Sequence, residues 1–169
     1  MTTAIVLAAA ALIIVIDQII KYFVYVNLSP DGRVTVIDNL FSLIYSENRG
    51  AAFGIFQDGT LFFIIVTSAL IGVFFYLLIR KKFSGKLFYT AVALILGGGI
   101  GNLIDRIFRG FVIDYLSLSF FSPICNFADY CITIGSALFV LCILFMSNGK
   151  KEETGKNDIE IAESDELNE

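Results

Sequence analysis

Four stretches of the chain are each long and apolar enough to cross a lipid bilayer, which takes about 20 helical residues. They lie near 4–26, 61–79, 87–104 and 130–147. Hydrophobic residues make up 57% of the chain and charged residues 17%, whereas soluble domains are about 45–50% apolar and about 25% charged. The sequence therefore predicts a membrane protein of four transmembrane helices, with residues 1–148 forming a single membrane-embedded domain.

Lysine and arginine in short loops indicate which side of the membrane each loop faces, because they concentrate on the cytoplasmic side. They lie between the second and third stretches and directly after the fourth: Arg80, Lys81, Lys82, Lys86, Lys150 and Lys151. We therefore expect both termini in the cytoplasm and two outer segments, near 27–60 and 105–129. Residues 149–169 are rich in acids and poor in aromatics, which predicts a disordered cytoplasmic tail.

The first outer segment has the pattern of short β-strands. Apolar and polar residues alternate within 34–37 and 40–45, and the pairs Asp31-Gly32 and Asp38-Asn39 are turn signals beside them. Alternation bounded by turn residues is typical of strands. We expect a small strand-rich element that lies on the membrane surface outside the helices.

The chain contains no histidine. This excludes Ser-His and Cys-His nucleophilic catalysis and most zinc sites. The three cysteines, Cys125, Cys131 and Cys142, lack the spacing of a metal site. We predict no metal and no cofactor, and the charge pattern indicates no nucleic-acid partner. Any hydrolysis by this chain must use carboxylates or lysine for proton transfer.

Two ionisable residues lie inside the first apolar stretch, where a charge is costly unless it is paired or faces water. Asp17 and Lys21 are four residues apart, so they share one helical face. One interpretation is an internal ion pair that seats this helix near the outer interface. The other is that both residues support a functional site.

The end of the third stretch combines glycines with polar residues. Gly97 and Gly101 form a GxxxG pattern, which is typical of close helix packing. Asn102, Asp105 and Arg106 follow, at helical spacings of three and four residues from the asparagine. We interpret these three residues as a hydrogen-bonded brace.

Two further aspartates occur in and at the end of the second outer segment. Asp114 lies within an apolar, strand-like run, and Asp129 follows Asn126 at the start of the fourth stretch. A lone aspartate at a helix start is commonly an N-cap. Alternatively, the two carboxyl groups meet and share one proton. The ionised group would then take a proton from a water that attacks a peptide carbonyl, which the other group polarises.

Five sequence blocks together resemble lipoprotein signal peptidase, also called signal peptidase II, in their order and spacing. They are 17–21 (DQIIK), 48–54 (NRGAAFG), 98–106 (GGIGNLIDR), 110–115 (GFVIDY) and 126–129 (NFAD). The resemblance covers about residues 10–147. The chain departs from the family pattern at Cys125, where phenylalanine is common, and mildly at Tyr115.

The resemblance implies an aspartic endopeptidase whose catalytic residues are Asp114 and Asp129. Asn48 and Gly50 then line the substrate region. Four other motif residues frame the site: Asn102, Asp105, Arg106 and Asn126. The implied fold is membrane all-α with a small β element, that is, four transmembrane helices with an extracytoplasmic β-cradle and a mobile amphipathic segment.

The substrates implied by the resemblance are prolipoproteins whose lipobox cysteine already carries diacylglycerol, and cleavage before that cysteine releases the signal peptide. The implied location is the bacterial cytoplasmic (inner) membrane, with the active site at the outer leaflet. We expect a multi-pass monomer whose partners are membrane lipids and these lipidated precursors.

Two non-enzymatic functions are alternatives. A small ion or proton carrier would use Asp114, Asp129, Asp105 and Arg106 as a relay, but a relay needs acids through the whole bilayer and these residues gather at one side. An assembly subunit would use the glycine-rich third stretch as a docking face. That function leaves both outer aspartates without a role.

Overall fold

The computed structural model describes residues 3–30, 32–50, 59–80 and 83–145. The predicted acidic tail and residues 51–54 of the second sequence block lie outside these ranges. Four helices here are long and apolar enough to span a membrane: α1 (Thr3–Leu28), α2 (Thr60–Arg80), α3 (Lys86–Arg109) and α4 (Phe127–Phe145). Four strands form one antiparallel sheet in chain order: β1 (Arg33–Ile37), β2 (Phe41–Asn48), β3 (Val112–Leu118) and β4 (Phe121–Cys125). The predicted fold class is confirmed.

Two helix boundaries differ from the predicted stretches in ways that matter for the polar residues. Helix α3 continues to Arg109, so Asp105 and Arg106 lie on the helix and not beyond it. Helix α4 begins at Phe127, which puts Asp129 in its first turn. The sequence pattern also fails to predict β4, because Pro123 interrupts it and proline is tolerated only at a sheet edge.

Glycines on α3 let α1 and α4 approach its backbone closely. A Cβ atom at Gly97 would lie 2.7 Å from a side chain of α1, and one at Gly101 would lie 2.6 Å from the Asp17 carboxylate. A Cβ atom at Gly98 would lie 2.5 Å from the carbonyl oxygen of Ala128 on α4. The predicted helix packing is confirmed, and these glycine faces are already occupied within the chain.

We expect Gly98→Ala to lower the thermal stability of the protein. The added methyl group overlaps a backbone carbonyl, so the first turn of α4 must shift, and overpacking of this kind costs about 1–3 kcal/mol. Gly99→Ala is the matched control, because its Cβ atom would lie 3.5 Å from the nearest atom, on Ile71. The unfolding temperatures of both variants test this, and equal temperatures would contradict the packing described here.

The passage from α3 into β3 is set by a left-handed residue at Gly110 (φ 81°), a conformation that glycine adopts without strain. The Gly110 N–H donates to the Arg106 carbonyl at 3.2 Å. Strand β3 then pairs antiparallel with β2, with Asp114 opposite Ser46. Because β2 ends at Asn48, the polar end of β2 lies beside Asp114.

Two buried apolar clusters hold this arrangement. The first joins the four helices around the first half of α3: Val6, Ala10, Leu78, Phe88, Val92, Ala93, Leu96 and Cys142. The second joins the end of α1 to β3: Val24, Leu28, Ile113 and Tyr115. Side chains alternate along a strand. Ile113 and Tyr115, which precede and follow Asp114, are buried in the second cluster, so the Asp114 side chain lies on the opposite face of β3.

Candidate active site

Asp114 is 2% exposed, and both of its carboxylate oxygens accept hydrogen bonds from side-chain amides. Asn48 Nδ2 donates to Oδ2 at 2.8 Å, and Asn126 Nδ2 donates to Oδ1 at 2.6 Å. The Gly50 N–H donates to Asn48 Oδ1 at 3.1 Å, which turns the amide nitrogen of Asn48 towards Asp114. Three of the residues predicted from the motifs therefore surround this carboxylate.

Asp129 and Asn126 form a reciprocal capping box at the start of α4. The Asp129 N–H donates to Asn126 Oδ1 at 2.9 Å, and the Asn126 N–H donates to Asp129 Oδ2 at 3.1 Å. Asn126 is therefore the N-cap, and Asp129 occupies the third helical position. The second oxygen of Asp129 accepts a hydrogen bond of 2.8 Å from Asn102 Nδ2.

The two carboxylates are connected through two asparagine amides. The Nδ2 atom of Asn126, which donates to Asp114, also lies 3.2 Å from Asn102 Oδ1. The Nδ2 atom of Asn102 in turn donates to Asp129. Asp114 and Asp129 therefore belong to one hydrogen-bond network and lie on the same side of the helices.

The environment of Asp114 favours its protonated form. Burial, followed by the negative charge of Asp129, raises the pKa of Asp114 to about 7. The amides of Asn48 and Asn126 and the charge of Lys21 act in the opposite direction. A carboxyl group with a pKa in this range can hold or release a proton near neutral pH.

Lys21 is fully buried, and its ammonium group contacts three acceptors. They are Asp17 Oδ2 at 2.8 Å, Asp105 Oδ2 at 2.9 Å and Asn102 Oδ1 at 2.8 Å. An ammonium group has three donors, so all of them are used. The predicted ion pair of Asp17 and Lys21 is present, and it continues through Asn102 into the network around Asp129.

The first N–H groups of α4 are bound by side chains from three different segments. Tyr115 Oη accepts from the Phe127 N–H at 3.2 Å. Asp17 Oδ1 accepts from the Ala128 N–H at 3.2 Å, and the Asn126 side chain accepts from the next N–H. These groups have no partner within a helix, so α1 and β3 together fix the place where α4 begins.

The predicted brace on α3 has hydrogen bonds at Asn102 and Asp105, and Arg106 does not pair with its neighbour Asp105. Consecutive helical residues do not face each other, and Asp105 instead forms a salt bridge with Arg109, one turn further on. Among the described residues the side chain of Arg106 donates no hydrogen bond, and its guanidinium lies 5.1 Å from the ring centre of Phe63. Arg109 was not among the predicted residues, although its spacing of four residues from Asp105 is typical of a helical ion pair.

The charge of Arg106 nevertheless acts on the site, because it interacts electrostatically with Asp129, Asp114 and Asp105. Cys125, where the chain departs from the family pattern, is a half-buried free thiol. Burial, together with the two nearby aspartates, raises the pKa of the Cys125 thiol, which keeps it uncharged at neutral pH. Within the described ranges, no three cysteine, aspartate or glutamate side chains are arranged to hold a metal ion.

Comparison with known proteins gives one consistent family. The family model described as signal peptidase (SPase) II matches residues 9–145. The chain is 39% identical over 145 residues to a lipoprotein signal peptidase of Shouchella clausii, covering 86% of this chain and 96% of that protein. It is 42% identical over 135 residues to one of Caldanaerobacter subterraneus, covering 80% and 92%. A solved bacterial membrane enzyme superposes with a TM-score of 0.80 at 29% identity, covering 88% and 93%.

Proposed function

Because this chain belongs to the signal peptidase II family, we propose that it cleaves diacylglyceryl-modified prolipoproteins directly before the lipidated cysteine, with Asp114 and Asp129 as the catalytic pair. The chain is a multi-pass bacterial membrane peptidase, and its family acts on prolipoproteins. The observation that carries the catalytic assignment is the network itself. A buried carboxyl group with a pKa of about 7 is joined through two amides to a second carboxylate.

In the proposed resting state Asp129 is ionised and Asp114 carries the shared proton. A negative charge at Asp129 is favoured by the N–H groups at the start of α4 and by the amide of Asn102. Each oxygen of Asp114 that accepts an amide hydrogen keeps a second lone pair. The carboxyl proton therefore has a position from which it can face a substrate.

The reaction then needs one water and no covalent intermediate. Asp129 takes a proton from the water, and the water oxygen attacks the carbonyl carbon of the scissile peptide bond. Asp114 donates its hydrogen bond to the carbonyl oxygen, where negative charge develops. When the C–N bond breaks, the proton held by Asp129 passes to the leaving amine, and the pair returns to one shared proton.

The remaining motif residues have supporting roles in this proposal. Asn48 and Asn126 hold Asp114 in place, and Gly50 fixes the amide of Asn48. Arg106, which forms no salt bridge among the described residues, provides a positive charge at the side of the pair. These contacts support a site that is already assembled before substrate enters.

We further propose that the site lies at the outer leaflet and that both termini are cytoplasmic, as the loop charges predict. The outer faces of the helices carry many exposed large apolar residues, for example on α2 and α4. Such faces suit contact with lipid tails. A diacylglyceryl-modified precursor can then reach Asp114 and Asp129 by lateral diffusion, so the enzyme has only to admit water.

The substrate assignment is tested with two synthetic precursor peptides that differ only in the diacylglyceryl group on the cysteine. We expect the purified enzyme to cleave the modified peptide at least about 100-fold faster, because the acyl chains bring it into the bilayer. Mass spectrometry should place the new N-terminus at the lipidated cysteine. Equal cleavage of both peptides, or cleavage at another bond, would refute the assignment.

The raised pKa of Asp114 predicts two pH effects. Activity should fall about tenfold per pH unit above about 7, as the shared proton is lost from the pair.

Stability should fall as pH rises from about 4 to about 7, because over this window the folded state retains a proton on Asp114 that the unfolded state has released. Asp114→Asn removes that group, so its unfolding temperature should lack this decline. A decline of the same size in both proteins would contradict the assignment.

A further inference from the structure

We propose that Lys21 is a positioning residue for the reaction. It fixes the orientation of the Asn102 amide and thereby keeps Asp129 a hydrogen-bond acceptor that can take a proton from water. The inference rests on the proposed function of Asp114 and Asp129. It is carried by a directional chain of hydrogen bonds that runs from α1 through α3 to α4.

The direction of this chain is set by Lys21, because an ammonium group can only donate. The oxygen and nitrogen of an asparagine amide are distinguished by the partners that each one faces. Lys21 Nζ lies 2.8 Å from Asn102, so the amide oxygen must be on that side. The amide nitrogen is then on the other side, where it donates to Asp129 Oδ1 at 2.8 Å.

Asn126 is oriented independently and agrees with this direction. The Asp129 N–H can only donate, so Asn126 Oδ1 must face it, at 2.9 Å. The Nδ2 atom of Asn126 then donates to Asp114 Oδ1 and to Asn102 Oδ1. The oxygen of Asn102 therefore accepts from two donors, and Lys21 is the charged one.

Loss of Lys21 removes the stronger of these two restraints on Asn102. If the amide turns over, its oxygen comes against the carboxylate of Asp129 in place of its nitrogen. That contact is repulsive unless Asp129 is protonated, and a protonated Asp129 cannot act as the base. The proposal therefore predicts a loss of catalysis that depends on pH.

A role for Lys21 in charge balance alone predicts a different result. Asp17, Asp105, Lys21 and Arg109 are two acids and two bases joined by salt bridges, with no net charge. Lys21→Met leaves one excess negative charge, and adding Asp17→Asn restores neutrality without restoring the donor to Asn102. The asparagine at position 17 keeps an oxygen for the Ala128 N–H. The double variant thus separates the two roles.

The test is the pH dependence of kcat and kcat/KM on the lipid-modified peptide for wild type, Asp17→Asn and the double variant. We expect Asp17→Asn to leave the acidic limb of the profile in place. The folded double variant should lose roughly 10- to 100-fold in kcat at neutral pH, with the acidic limb moved up by about one pH unit. Wild-type kcat, or a lower kcat with an unmoved acidic limb, would overturn the proposal.

Asn102→Leu is the second variant, because it leaves Lys21 bound to both of its carboxylates. It should move the acidic limb in the same direction, and combining it with the double variant should add nothing further. An unmoved limb in Asn102→Leu, or additive effects in the combination, would contradict a path through the amide. Asn102→Leu changes none of the ionisable groups around Asp129, which are Asp114, Tyr115, Arg106, Cys125 and Lys21.

Failure of this inference is distinguishable from failure of the proposed function. Activity retained in Asp114→Asn or Asp129→Asn would refute the assignment of these two aspartates as the catalytic pair. A wild-type profile in the Lys21 and Asn102 variants, with both aspartate variants inactive, would leave the pair intact and refute only the role of Lys21.

Discussion

Asp114→Asn and Asp129→Asn are each expected to slow cleavage of a lipid-modified precursor by roughly 10²- to 10⁴-fold or more, while the protein stays folded. An asparagine has nearly the same shape as an aspartate, but it can neither take a proton from water nor share one with its neighbour. The rate of signal-peptide release from the synthetic precursor measures the effect. The unfolding temperature of each variant shows that the fold is kept.

Asp38→Asn is the matched control for both variants. Asp38 is an exposed acid in the turn between β1 and β2, so the same chemical change there should leave cleavage at the wild-type rate. Cleavage near the wild-type rate in either Asp114→Asn or Asp129→Asn would show that the two carboxylates are not the proton-transferring groups. The network of amides around them would then be structural.

The second large effect is expected on stability. Lys21→Met should lower the free energy of unfolding by about 3–5 kcal/mol, because it leaves buried carboxylates on Asp17 and Asp105 without their shared partner. Adding Asp17→Asn should recover part of that loss, since Asp105 still has Arg109 as a partner and the second substitution removes the one excess negative charge. Thermal or denaturant unfolding in the same detergent measures the series.

The Asp17→Asn variant alone should lie between wild type and Lys21→Met. It removes one partner of Lys21 but leaves Asp105 and Asn102 in contact with the ammonium group. A Lys21→Met protein as stable as wild type would mean that these carboxylates reach water or another cation. A double variant less stable than Lys21→Met would exclude charge balance as the reason for the loss.

Hydropathy and residue spacing predict much of this molecule because each reports on a local requirement. An apolar stretch of bilayer length must form a helix, since no water is available to satisfy its backbone. Alternation within 34–37 and 40–45 predicts the strands β1 and β2 for a similarly local reason. The pairing of Asp17 with Lys21 follows from the same helical geometry.

The contacts that connect the site depend on tertiary packing, which local patterns do not report. The sequence motifs place Asn102 and Asn126 near the aspartates, but the order in which their amides join the two carboxylates needs coordinates. The sequence spacing places Arg106 in one brace with Asn102 and Asp105. In the structure Arg109, one helical turn beyond Asp105, forms the salt bridge with it, and Arg106 packs over an aromatic ring.

The anchoring of α4 by groups from earlier parts of the chain has a consequence for biosynthesis. The ribosome synthesises α1 and β3 before α4. Asp17 and Tyr115, which accept hydrogen bonds from the first N–H groups of α4, are therefore already present when that helix is made. The second carboxylate reaches its place only when the last hydrophobic segment enters the bilayer. From the proposed catalytic pair we therefore expect a copy in which α4 has not yet been inserted to be inactive.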